Sequence, residues 1–158
     1  MPASTGVDKL YDAIEGDRDK RGHKLYNATE ANFLEVLRGC SNGEVNYFNS
    51  KNFSSNVLIE LAYSHDWPKA AAAVIERGCD VNAKDTSFET ALHKAGAHNH
   101  RETARVLLER GADRTMWNDK LETAAKVARR WGKNDIAAYI DGANARFRLA
   151  LATLPPQP

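Results

Sequence analysis

The chain has 158 residues, of which 42% are hydrophobic and 27% charged, and its formal net charge is +1. This balance is typical of one soluble domain or one short solenoid, and it gives no overall field that would favour nucleic acid or an anionic membrane. No run of about 18 apolar residues is present, so no transmembrane helix is predicted. The N-terminal residues MPASTGVDKLYD lack the apolar core of a secretory signal, and we therefore expect an intracellular protein of the cytoplasm or an organelle interior.

The N-terminal part of the chain is predicted to contain two amphipathic helices. Residues 1–7 are small and polar, which predicts a flexible lead-in. A short helix should start near Asp8, because three apolar residues follow at spacings of three and four: Leu10, Ala13 and Ile14. After a charged loop at 16–24, a second helix is predicted over Leu25–Arg38. Its candidate caps are Asn27 and Thr29, and its apolar stripe is Phe33, Val36 and Leu37.

A second pair of helices is predicted after a polar connector at 47–54. Ser55–Ala62 aligns with the later segment Glu89–Gly96. The partner helix is the alanine-rich segment Lys69–Arg77. Pro68 fits its first turn, where the missing N–H of proline costs nothing.

The stretch Val74–Asp113 contains an internal repeat. Val74–Asp80 returns as Leu107–Asp113, and Thr90–Ala95 (TALHKA) lies between the two copies. A period of about 33 with a T-x-L-H-x-A element at the start of the first helix is typical of ankyrin repeats, and the stretch closely resembles that family. In such a unit Thr90 can cap the first helix, and Gly111 can end the second with a positive φ. The buried positions predicted for the two helices are Ala91, Leu92 and Ala95, then Ala104, Leu107 and Leu108.

The resemblance implies an all-α fold, an ankyrin-repeat solenoid of about four helix-turn-helix units over residues 8–142. The first unit is degenerate, as terminal units usually are. The third and fourth units are Asp85–Trp117 and Asn118–Ile140, and Asp141 at a core position indicates that the stack ends there. Residues 143–154 are predicted to form a C-terminal capping helix, and 155–158 a proline-rich tail.

The turn before each capping residue departs from the family pattern, which usually has glycine there. Ser54, Phe88 and Leu121 occupy this position. The departure leaves the conformation of the hairpin tips open and adds exposed apolar area.

No motif for metal binding or catalysis is evident. His93, His98 and His100 cluster near one helix-to-helix turn, but their spacing does not match a zinc site. The resemblance implies instead that His93 and His100 form hydrogen bonds with the backbone of neighbouring loops. The two cysteines, Cys40 and Cys79, are too few for a disulfide framework and are predicted to be buried reduced thiols. Phosphate-binding loops and nucleophile motifs are lacking as well, so we expect no enzyme activity, no metal and no cofactor.

The resemblance implies a non-catalytic protein–protein interaction module, either an adaptor or an assembly subunit. Its partner would be another protein, not a membrane or a small-molecule substrate. Partners of ankyrin-type stacks usually meet the concave side, which is built from hairpin tips and the exposed faces of the first helices. The positions carried over are Asn52, Phe53, Tyr63, Lys84, Thr86, Ser87, Glu89, Ala97, His98, Trp117, Asp119, Lys120, Glu122, Arg130 and Trp131. For the two tryptophans the alternative is packing on each other or on the helix at 143–154.

Two further hypotheses concern charge and modification. Residues 114–158 include eight basic and four acidic residues, which suits a solvated face or docking in a ribonucleoprotein or other large complex. Nucleic acid is thus the less favoured partner. Asp80–Asn82 resembles the substrate motif for asparagine β-hydroxylation in ankyrin proteins, and the alternative is that the Asn82 side chain stabilises its hairpin.

Overall fold

The computed structural model describes residues 6–15, 28–42 and 56–142. All regular secondary structure in these ranges is helical: α1 Gly6–Glu15, α2 Glu30–Arg38, α3 Val57–Ser64, α4 Pro68–Glu76, α5 Ala91–His98, α6 Arg101–Glu109, α7 Ala124–Arg130 and α8 at 134–142. None of the described helices is both long and apolar enough to cross a membrane. The predictions for the connector at 47–54, the helix at 143–154 and the tail at 155–158 fall outside the described residues.

Consecutive helices pair into four units that stack in two layers. The first helices form one layer, in which α1 contacts α3, α3 contacts α5 and α5 contacts α7. The second helices form the other layer through contacts of α2 with α4 and of α4 with α6. The largest fully buried side chains, among them Phe33, Leu58, Leu92, Leu107 and Ile136, come from every part of the stack. Each unit therefore buries its apolar face against its neighbours, and the predicted all-α repeat fold is confirmed.

Single side chains set several helix ends. Thr29 has extended backbone angles, and its hydroxyl accepts a hydrogen bond from the Asn32 backbone N–H at 3.1 Å. For this reason α2 begins at Glu30, later than the predicted Leu25. Conversely, α1 begins at Gly6, within the predicted lead-in and two residues before Asp8. Pro68 is in the first turn of α4, as predicted.

The buried face of α6 is wider than the predicted stripe. Thr103, Ala104, Val106 and Leu107 are buried, whereas Leu108 is only half-buried. The reason is that α6 packs against both α4 and α5. The hydroxyl of Thr103 is fully buried and has no hydrogen-bond partner among the described residues.

Two neighbouring first helices, α5 and α7, approach each other closely at Gly96. A Cβ atom at this position would lie 3.1 Å from the carbonyl oxygen of Ala124 and 3.4 Å from the Cβ of Ala128. The neighbouring buried residues Ala91 and Ala95 are also small. Small side chains thus allow α5 and α7 to pack nearly backbone to backbone.

Two histidines connect adjacent units. The Nδ1 atom of His93 accepts a hydrogen bond from the Thr90 backbone N–H at 3.2 Å, and its Nε2 lies 3.1 Å from the carbonyl oxygen of Glu122 in the next unit. The Nδ1 of His100 lies 3.0 Å from the carbonyl oxygen of Ala62 in the preceding unit. Burial lowers the pKa of His93, although the hydrogen bond to Glu122 opposes this, so its ring is neutral at pH 7. The predicted structural role of both histidines is confirmed.

Two loop side chains also bridge units. The Asp66 carboxylate accepts a hydrogen bond from the Thr103 backbone N–H at 2.7 Å, which caps α6 from the preceding unit. The Oδ1 of Asn82 accepts from the Asp113 backbone N–H at 2.8 Å, and its Nδ2 donates to the carbonyl oxygen of Gly111 at 3.3 Å. Asn82 therefore stabilises its own hairpin against the next one.

The hairpin tips adopt a left-handed backbone at bulky residues. Phe88 and Leu121 each have φ 58, a region that disfavours side chains with a Cβ. In the third unit, Asp85 Oδ1 accepts hydrogen bonds at 2.9 Å from the backbone N–H groups of both residues that flank Phe88. Asn118 does the same for the two residues that flank Leu121, at 3.0 and 2.9 Å. These bonds fix the turn and hold the strained conformation in place.

Both cysteines are buried, and neither is in a disulfide. Burial raises the pKa of the Cys79 thiol to about 12, so this thiol stays protonated and unreactive at neutral pH. The predicted state of the cysteines is confirmed.

Candidate partner-binding groove

The exposed faces of α3, α5 and α7 border a cleft of about 460 Å³, which we call the groove. Tyr63, Ala97 and Arg130 occupy the same position in three consecutive units of the repeat. The methyl group of Ala97 lies between two long side chains, and this difference in length creates the depression. Val127, which is buried, completes the floor beside Ala97.

Two pairs of side chains form the walls of the groove. The rings of Tyr63 and His98 meet edge to face, with centroids 4.6 Å apart. On the other side the Arg130 guanidinium lies over the Trp131 ring, 5.5 Å from its centroid. Contacts of this kind orient each side chain before any ligand arrives. The groove is therefore preformed and presents aromatic surface on both sides.

Lys94 and the acids around the groove are largely covered, whereas two other cations, Arg130 and Lys120, are exposed. Lys94 Nζ is 2.8 Å from Asp85 and 2.5 Å from Glu89, and Arg130 Nε is 3.0 Å from Glu122. The side chains of Asp85, Glu89 and Glu122 are only 7%, 19% and 20% exposed, whereas that of Arg130 is 40% exposed. Lys120, the other basic residue at the rim, is exposed as well. A molecule that approaches from solvent meets positive charge first.

His98 adds no charge to the groove at neutral pH. Burial lowers its pKa, and the electrostatic effects of His100, Lys94 and Lys133 lower it further, against the opposing effect of Glu89. Its neutral ring serves as a wall. Among the residues that the structure describes, no group of three or more His, Cys, Asp or Glu side chains is arranged to hold a metal ion.

The structure brings about half of the predicted contact residues together in the groove. They are Tyr63, Glu89, Ala97, His98, Lys120, Arg130 and Trp131. Glu122 lies behind them as the partner of Arg130. Asn52 and Phe53 fall outside the described residues.

The other predicted contact residues belong to the hairpin tips of the third and fourth units: Lys84, Thr86, Ser87, Trp117 and Asp119. Lys84 Nζ donates to the carbonyl oxygen of Trp117 at 3.2 Å, and the Asp119 backbone N–H donates to the carbonyl oxygen of Ser87 at 3.1 Å. The two tips therefore form one continuous edge beside the groove. Phe88 and Leu121 add apolar surface to this edge, because more than half of each is exposed, as predicted.

Two groove residues were not predicted, Lys94 and Val127. They occupy the same repeat position in consecutive units, and each lies three residues before a predicted contact residue, Ala97 or Arg130. Residues three apart share one helix face. This spacing was the signal that could have identified them.

Trp117 and Trp131 are both more than half exposed. The core therefore does not contain Trp117 or Trp131, and the Trp131 ring contacts Arg130 instead. Packing of either ring on the helix predicted at 143–154 concerns residues outside the described part of the chain.

Several cations of the C-terminal region have internal partners. Arg129 forms an ion pair with Asp141, and Arg114 Nη1 donates to the carbonyl oxygen of Ile140 at 3.2 Å. Asp141 is half-exposed, so its carboxylate is in contact with solvent. These contacts occupy two guanidinium groups that a polyanion would otherwise contact.

Stacked helix pairs with a preformed groove define a helical-repeat binding protein. A family model described as ankyrin repeats, in three copies, matches residues 25–116, which is more than half of the chain. The chain belongs to the ankyrin-repeat family. Ankyrin repeats are general protein–protein interaction modules and are typically non-catalytic. No curated protein matches the chain.

Proposed function

We propose that this chain is a non-catalytic interaction module, an adaptor or assembly subunit, that binds a protein partner through the groove and the adjoining hairpin tips. The observation that carries the proposal is the exposure of Tyr63, Trp117 and Trp131, each at least half exposed along one surface. Tyrosine, tryptophan and arginine dominate the energetics of protein interfaces. Large rings exposed together are unfavourable in a monomer unless a partner covers them.

Substitution of the tryptophans tests this proposal. Trp131→Ala and Trp117→Ala should each weaken partner binding by about 2 kcal/mol, or roughly 30-fold, without lowering the melting temperature. A suitable control is Lys126→Ala, since Lys126 is exposed on α7 but does not line the groove. Partners would be captured from lysate, identified by mass spectrometry and titrated against each variant. If both substitutions lower the free energy of unfolding by about 3–5 kcal/mol, the rings pack inside the protein and the proposal fails.

The same capture separates protein binding from docking on nucleic acid. Treatment of the lysate with nuclease should leave the captured partner unchanged. The ion pair of Arg129 with Asp141 supports this expectation, because this guanidinium group already has a carboxylate partner. Loss of the partner after nuclease treatment would favour a ribonucleoprotein component.

A further inference from the structure

We infer that the groove binds a short acidic segment of the partner, with one large apolar side chain of that segment inserted over Ala97. The inference rests on the proposed function and adds the chemistry of what is bound. Two observations carry it independently: the shape of the depression at Ala97, and the greater exposure of Arg130 and Lys120 than of the nearby carboxylates.

The shape indicates an apolar anchor. Ala97 is the small member of a row whose other members are Tyr63 and Arg130, and the cleft above it measures about 460 Å³. That volume is in the lower part of the range for ligand pockets, roughly 300–1,000 Å³. The floor is a methyl group and the buried Val127, and both walls are rings. A leucine, phenylalanine or tryptophan side chain fits such a site and would displace water from apolar and aromatic surface.

The charges indicate acidic flanks. The carboxylates of Glu89 and Glu122 are each paired with a cation and largely covered, whereas Arg130 and Lys120 extend to solvent. A partner carboxylate can contact these cations without displacing the acids below them. A basic segment would have to approach through the cations, at an electrostatic cost. Charge complementarity therefore selects an acidic segment.

Synthetic peptides test the inference directly. The probe is a fluorescein-labelled nine-residue peptide with a central leucine and only Asp and Glu on either side, measured by fluorescence anisotropy. Two comparison peptides each differ from it in one respect: one has a central alanine, and the other has lysine in place of the acids. A third comparison probe is a single-stranded oligonucleotide of equal charge. The acidic leucine peptide should bind at least 10-fold more tightly than the alanine peptide, and its affinity should fall as salt is raised. The lysine peptide and the oligonucleotide should bind more weakly still.

Groove variants identify the site. Ala97→Leu should fill the depression and weaken binding of the acidic leucine peptide at least 10-fold. Ala138→Leu is its control, because Ala138 is exposed on α8 and does not line the groove. Lys120→Gln should weaken binding several-fold, whereas Lys126→Gln should not. Unchanged melting temperatures show that the variants remain folded, and Lys120→Gln keeps the test decisive if Ala97→Leu does not fold.

Several results would overturn the inference. They are equal binding of the leucine and alanine peptides, preference for the lysine peptide or the oligonucleotide, no effect of Ala97→Leu or Lys120→Gln, and no binding of the acidic peptide at millimolar concentration. A dimer of the chain alone that Ala97→Leu abolishes would assign the groove to a second copy and reject the peptide. None of these results bears on the tryptophan experiment, so the failure of this inference is distinguishable from failure of the proposed function.

Discussion

Replacement of Leu121 by glycine should stabilise the protein, although it removes a large apolar side chain. Leu121 has φ 58, and it is 68% exposed. A left-handed backbone costs a residue with a Cβ about 1–2 kcal/mol, which glycine does not incur. Against this, glycine loses more chain entropy on folding, about 0.5–1 kcal/mol. Because so little of the side chain is buried, the net gain should be about 0.5–1 kcal/mol.

The comparison with Leu121→Ala isolates the backbone effect. Alanine removes nearly the same side chain but keeps the Cβ, so it should leave stability almost unchanged. In thermal and denaturant unfolding the glycine variant should then be the most stable of the three proteins, and the leucine and alanine proteins should be equal. The melting temperatures should differ by about 2–4 °C per kcal/mol of stability. Phe88→Gly should gain less, because Phe88 also contacts Lys84, whose Nζ is 5.5 Å from the ring centroid. If Leu121→Gly proves no more stable than Leu121→Ala, the positive φ stores no strain and the reasoning is wrong.

Three further changes concern the core and its buried polar groups. Thr103→Val should match or exceed the wild type by up to about 1 kcal/mol in chemical unfolding, because it removes a buried hydroxyl that has no partner among the described residues; a loss of stability would reveal a missed hydrogen bond. Gly96→Ala should lower the unfolding free energy by about 1–2 kcal/mol, because the new methyl group would lie 3.1 Å from the Ala124 carbonyl oxygen. Gly39→Ala, which meets nothing closer than 3.5 Å, should cause no loss under the same assay. Burial lowers the pKa of His93 from 6.5, so its contribution to stability is complete above that pH and is lost as pH falls below it, by at most about 1.4 kcal/mol per pH unit. His93→Gln keeps an acceptor for the helix cap without a titrating group, and unfolding at pH 5 and pH 8 should show a shallower dependence than in the wild type.

Most of the fold could be predicted from sequence because residues close together in the chain determine where each helix of the repeat begins and ends. The regular repeat spacing, the capping threonine and the helix-ending glycine can all be read from the order of the residues. Gly78, Gly111 and Gly132 all have the positive φ that this pattern requires. Errors arose where contacts between units decide the outcome. Leu108 was predicted to be buried and is only half-buried, because packing against two helices turns the buried face of α6 toward Thr103 and Val106.

The candidate site was predicted less completely than the fold. The spacing of the repeats placed Tyr63, His98 and Trp131 on one exposed surface, and in the structure all three line the groove. The sequence could not predict which charged side chains are covered and which are exposed. This difference depends on ion pairs such as Lys94 with Asp85, nine residues apart in sequence. Likewise the left-handed turn at Phe88 departs from the residue preference of the family. Hydrogen bonds from the flanking backbone to Asp85 hold it there, and no propensity of Phe88 itself would indicate them.

The direction of the histidine bridges has a consequence for folding during synthesis. His100 and Thr103 find their partners Ala62 and Asp66 in chain that has already left the ribosome. By contrast, His93 depends on the carbonyl oxygen of Glu122, which is made 29 residues later. A nascent chain that has just emerged through the third unit therefore lacks the protein acceptor for His93 Nε2. Because this hydrogen bond closes only when the fourth unit appears, the third unit reaches its final stability together with its successor and not before it.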